Sequence, residues 1–133
     1  MKLLVIFLLT LNIFTTAYAA TDAKETSIKH FDIPDVTSFK EAQFIFTEKT
    51  SELKNKKVLN VDELQQIHMI TYTLEKSIEY FVLNLEGEKK SLAEKAAEIV
   101  ENIHINSENN RKEKTEVYLN NYFDLASKLE SIL

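Results

Sequence analysis

Residues 61–85 read VDELQQIHMITYTLEKSIEYFVLNL, and within them Leu64, Ile67, Thr71, Leu74, Ile78, Phe81 and Leu85 recur at alternating spacings of three and four. A repeat averaging 3.5 residues puts all seven on one stripe of an α-helix, the seam along which helices of a bundle meet. Six of the seven are apolar. At about 1.5 Å per residue, a helix over 61–86 reaches roughly 39 Å, the length of a bundle rather than of a small mixed fold.

Asn60 stands three residues before Glu63, and the same pattern recurs at Ser38 and Glu41, Ser91 and Glu94, and Asn110 and Glu113. A short polar side chain followed three positions later by Glu satisfies the free amides of a helix N-terminus, so four such pairs predict four helices. Seams follow each start: Phe39, Ala42, Phe46 and Leu53; then Leu92, Ala96, Ile99, Val100 and Ile103; then Tyr118, Tyr122, Leu125, Leu129 and Ile132. Gly87 is expected to close the second helix, since glycine enters the left-handed C-cap without steric cost. Short links make successive helices antiparallel neighbours. The expected fold is therefore all-α, an up-down-up-down four-helix bundle over residues 38–133.

Composition agrees. One glycine, one proline, 44% hydrophobic and 28% charged residues suit long helices and lack the turn residues of a sandwich or barrel. The absence of cysteine removes disulfides, thiolate metal sites, c-type haem attachment and cysteine nucleophiles together. A net charge of −5 disfavours nucleic acid and anionic lipid as partners.

The first 19 residues are expected to be a signal peptide. Lys2 supplies the positive start, Leu3 to Leu11 the apolar run, and Ala17-Tyr18-Ala19 the small-x-small cleavage site. Asn12, Thr15 and Thr16 interrupt the run before a membrane span is complete, so no stable membrane insertion is expected after cleavage. The expected location is the periplasm or the medium. Residues 20–37, with His30 and the only proline, Pro34, read as a flexible N-terminal arm in which His30 is solvated.

Within the long helix, Gln66 to Glu75 reads QIHMITYTLE, in which Ile70-Thr71-Tyr72-Thr73 is poor helix material by propensity. The stretch resembles the His-x-x-Thr-Tyr-Thr-Leu-Glu signature of a small exported bacterial family, domain-of-unknown-function family 6746. The resemblance runs on through His104-Ile105-Asn106-Ser107 to Tyr118-Leu119, while Lys76-Ser77 and the Asn-rich junction near residue 110 depart from the family pattern. It implies an exported helical protein of similar length and supplies no reaction.

His68, Tyr72 and Glu75 are spaced four and three apart and so share a stripe at the flank of the seam. In an antiparallel pair turning near residues 87–90, His104 falls level with Thr71 to Glu75. Glu101 and His104 form a Glu-x-x-His step, the spacing found in carboxylate-bridged metal bundles. Two readings stand side by side. In the favoured one, the histidines hydrogen-bond Tyr72 or Glu75 and fix register, with no cofactor. In the other, His68, His104 and Glu75 or Glu101 hold zinc, copper or nickel, or His68 and His104 hold a b-type haem.

No enzyme is expected. A serine nucleophile would need a sharp turn and an oxyanion hole, and the only glycine is used at a helix end. The acidic residues Glu75 and Glu79, and Glu94 and Glu98, read as solvated stripes. Ile70, Tyr80 and Leu83 lie off the seam and are expected to close against the first helix, or else to meet a protein partner or a second copy. The functional expectation is a non-catalytic binding or structural module, with a metal or haem carrier as the alternative.

Overall fold

The computed structural model describes residues 25–133. The expected signal peptide and the start of the arm lie outside the described residues. Four helices carry the described chain, with no strand among them: α1 (Phe39–Lys54), α2 (Val61–Asn84), α3 (Gly87–Glu108) and α4 (Lys112–Glu130). None is long and apolar enough to cross a membrane.

The first two starts form as their side chains dictate. Ser38 Oγ accepts from the Glu41 amide at 3.2 Å, and Asn60 Oδ1 accepts from the Glu63 amide at 2.9 Å. The Glu63 carboxylate reaches back to the amides of Leu59 and Val58, and these backbone bonds hold it below the usual carboxylate range. The other two starts differ. α3 begins at Gly87, a turn before the position Ser91 would cap, and its N-cap Glu86 makes no side-chain bond. α4 starts after Arg111, again without a side-chain cap, because Asn110 has the left-handed φ of 53° and its Oδ1 instead accepts from Gln65 Nε2. Gly87 is also left-handed, at φ 59°, yet it opens α3 and does not close α2. α2 ends at Asn84 and Leu85 leaves it in extended conformation, so glycine's freedom serves the entry into the next helix.

The core follows the α2 seam. Leu64, Ile67, Thr71, Leu74, Ile78 and Phe81 are buried, and Leu85 packs at the margin. Facing them are Ala42, Phe46 and Leu53 of α1, Ala93, Ala96, Val100 and Ile103 of α3, and Leu119, Tyr122, Ala126 and Leu129 of α4. The α4 seam is rotated from the expected one: Leu119 and Ala126 are buried, whereas Tyr118, Leu125 and Ile132 lie at its edge. Phe46 stacks edge-on against both Phe81 and Tyr122, and the Tyr122 hydroxyl bonds Thr50 Oγ1 at 2.7 Å. Ile70 and Tyr80 pack against the core, while Leu83 stands exposed.

Consecutive helices pack on one another, α2 with α3 most extensively, and α1 touches α4. Early α1 meets late α2, where Ser77 Oγ donates to the Ala42 carbonyl at 2.7 Å. The end of α1 meets the start of α2, where Lys56 pairs with Gln66. Early α2 meets the end of α3 through Gln65 and Asn110.

Candidate metal centre

The α2–α3 contact brings the two helical histidines together. His68 on α2 and His104 on α3 are both buried, with ring centres 4.6 Å apart and planes at 88°. Tyr72, one turn beyond His68, sets its ring edge-on to both, at 5.1 Å from His68 and 4.7 Å from His104. Glu75 Oε1 lies 2.7 Å from His104 Nδ1. That carboxylate accepts the Nδ1 proton, so a neutral His104 carries its lone pair on Nε2, the nitrogen that faces away from Glu75.

Nε2 of His104 is buried and has no hydrogen-bond partner, and the same is true of Nδ1 of His68. Among the described residues only one other buried side-chain atom, Asn106 Oδ1, is left in this condition. An unpaired buried polar atom costs about 1–3 kcal/mol, so two such nitrogens on adjacent rings represent a considerable penalty for structure alone. The third group at this point is Glu108, one turn beyond His104. One ligand atom from each of His68, His104 and Glu108 falls within 4.8 Å of the other two.

The surroundings of His68 favour its neutral form. Burial pushes the His68 imidazole below its ordinary value of 6.5, the neighbouring His104 acts in the same direction, and the Glu108 carboxylate opposes both. At neutral pH His68 is uncharged, the form that ligates.

The N-terminal arm crosses the centre from outside. Tyr72 Oη accepts the His30 amide at 2.9 Å and donates to the Ile28 carbonyl at 3.2 Å. His30, expected to be solvated, is exposed, and it also places Nε2 2.6 Å from Glu108 Oε1, with its ring centre 6.2 Å from that of His68. Ser27 donates its amide and hydroxyl to the two oxygens of Glu101, at 2.7 and 3.0 Å.

The sequence-derived residues thus divide by position. His68, His104 and Tyr72 share one place; Glu75 stands behind His104 as its orienting partner; Glu101 is turned to the arm. The residue that joins the histidines is Glu108, which sequence reasoning passed over by stepping back from His104 to Glu101. Its own signal, His104 followed by Glu108 at i+4, was equally legible. Nothing in the sequence pointed to His30, whose position depends on the path of the arm.

What this arrangement can do chemically is bind a cation through two imidazoles and a carboxylate, with outer hydrogen bonds to Glu75 and from His30 fixing two of the three. No curated protein and no solved structure matches the chain. A family model described as a family of unknown function (DUF6746) matches residues 1–131, and the chain belongs to that family.

Proposed function

We propose that this protein is an exported helical bundle that binds a transition-metal ion through His68, His104 and Glu108, acting as a binding module without a catalytic role. The observation that carries the reading is that two buried imidazoles, each with one unpartnered ring nitrogen, and the Glu108 carboxylate each bring a ligand atom within 4.8 Å of the other two. Two imidazoles and one carboxylate suit zinc, copper or nickel, and the lack of thiolates disfavours ions that demand soft ligands. The Glu75–His104 pair supports it further, because a ligating histidine commonly gives its other N–H to a carboxylate that fixes ring and tautomer.

Haem is the poorer occupant. Metal–imidazole bonds of about 2 Å place two trans imidazole rings with centres roughly 6 Å apart and a porphyrin between them. The rings of His68 and His104 are closer than that, at 4.6 Å, and nearly perpendicular. Removal of residues 1–19 on export, and an up-down-up-down order of helices, belong to the same proposal. The order is supported by the opposed ends that meet at Ser77 with Ala42 and at Gln65 with Asn110.

The test is calorimetric titration of metal-free protein with zinc, copper and nickel at pH 7.5. One equivalent should bind, and His68→Gln and His104→Gln should each abolish that binding while far-ultraviolet circular dichroism stays unchanged. Binding that survives both substitutions, or no binding of any of the three ions, rejects the reading.

A further inference from the structure

The arm is fastened to the bundle by a series of polar clasps. Glu25 pairs with Arg111 at 2.8 and 3.1 Å, Ser27 holds Glu101, the Tyr72 hydroxyl holds the main chain at Ile28 and His30, and Asp35 pairs with Lys76 at 2.6 Å. Phe31 adds an edge-on contact with Tyr72, at 5.4 Å between ring centres. Only one clasp reaches a proposed ligand: His30 Nε2 on Glu108 Oε1, at 2.6 Å.

Glu108 is the ligand that most needs such help. His68 and His104 are buried and locked by packing, whereas the Glu108 side chain sits at the last residue of α3 and is 20% exposed. A carboxylate in that position has water and other rotamers open to it unless something outside holds it in place. His30 supplies the hold, and the Tyr72 hydroxyl fixes His30 through its amide.

We infer that His30 is a positioning residue of the metal centre, carried in by the arm, so that metal occupancy and closure of the arm are linked. The inference rests on the metal reading above. Linkage makes the effect reciprocal: the factor by which the clasp strengthens metal binding is the factor by which metal favours the clasped arm. Loss of an outer hydrogen bond to a ligand typically weakens metal affinity about 10- to 100-fold. The same range therefore applies to arm closure. The metal centre thereby becomes a device that converts ion binding into an altered outer surface, because the exposed Ile28, Lys29 and Phe31 ride on the same segment.

Lys29 makes the linkage measurable. It is exposed and directly precedes His30, and trypsin must draw the main chain out of the Tyr72 clasp to cut the bond between them. When the arm opens and closes faster than the protease cuts, the rate of cleavage reports the open fraction. Cleavage at Lys29–His30 is followed by mass spectrometry with and without saturating zinc, in the wild-type protein and in His30→Ala, His30→Gln and His68→Gln, and zinc affinity is titrated in each.

Zinc should slow this cut about 10- to 100-fold in the wild type. His30→Ala should lose the protection and bind zinc more weakly by a matching factor. His30→Gln should recover part of both, because its amide nitrogen can still donate to Glu108. His68→Gln should show no zinc effect. Zinc binding that depends on His68 and His104 but leaves the cut rate unchanged, or equal protection in wild type and His30→Ala, overturns the linkage and leaves the metal reading standing. Protection persisting in His68→Gln also overturns it, since the ion then acts elsewhere. Failure of the wild type to bind zinc, copper or nickel removes the metal reading, and the linkage with it.

Discussion

His68 carries a cost that structure alone does not offset. Its Nδ1 is buried without a partner, and burial depresses its protonation. The unfolded chain therefore takes up a proton near pH 6.5 that the folded chain refuses. For such a group the stability is fully present above the unfolded value and is lost as pH falls from about 6.5 towards the lower folded value. Chemical denaturation of metal-free protein should show a decline over that window which His68→Gln abolishes, with a slope of up to about 1.36 kcal/mol per pH unit. The same reasoning makes His68→Leu informative. Replacing the orphaned imidazole by an apolar side chain should leave the metal-free protein as stable or more stable, by about 1 kcal/mol, while destroying zinc binding. A loss of several kcal/mol would instead identify His68 as a register-fixing residue. Glu75→Gln is the milder change. Its carbonyl oxygen can still accept from His104 Nδ1, so zinc affinity should fall about 10- to 100-fold without vanishing.

At the scale of single helices, the seam of α2 explains both the fold and its legibility. Leu74 and Ile78 are fully buried at its middle, and Leu74→Ala and Ile78→Ala should each cost about 2–5 kcal/mol in urea denaturation. Values near zero for both would place the seam on the wrong face. Asn60→Ala removes a formed cap and should cost about 1 kcal/mol, whereas Ser91→Ala, inside α3 and exposed, should cost only tenths. That contrast marks where sequence reasoning stopped working. The α2 seam was readable because seven positions repeat without interruption, and the starts at Ser38 and Asn60 because the capping side chain is local to the helix it caps. The starts of α3 and α4 were misplaced because Gly87 and Asn110 solve the turn with left-handed backbone, leaving Ser91 and Asn110 no capping work. The α4 seam was shifted by about one residue because its large aromatics, Tyr118 and Phe123, occupy the margins, while Thr115 and Ala126 fill the interior.

For the whole molecule, the proposed centre lies where three separate elements converge: α2 brings His68 and Tyr72, α3 brings His104 and Glu108, and the arm brings His30. His68, Tyr72 and His104 were legible, since helical spacing and an antiparallel turn bring them to one level with Glu75, whereas Glu108 was passed over for Glu101. The arm was not, because an irregular segment has no periodicity to read, and its course is fixed by single contacts such as Ser27 with Glu101 and Asp35 with Lys76. Binding to the folded state alone raises global stability by mass action. Zinc at about 100 times its dissociation constant should add about 2.7 kcal/mol to unfolding, read as a shift of the denaturation midpoint that a chelator reverses.

The proposed ion lies between α2 and α3, at His68, His104 and Glu108. Anomalous diffraction at the zinc edge from crystals of the zinc-loaded protein is the deciding measurement. A single peak is expected at about 2.0–2.2 Å from a ring nitrogen of His68, Nε2 of His104 and a carboxylate oxygen of Glu108, with Glu75 on the far side of the His104 ring. A peak confined to surface carboxylates, with both imidazoles free of metal, would contradict it.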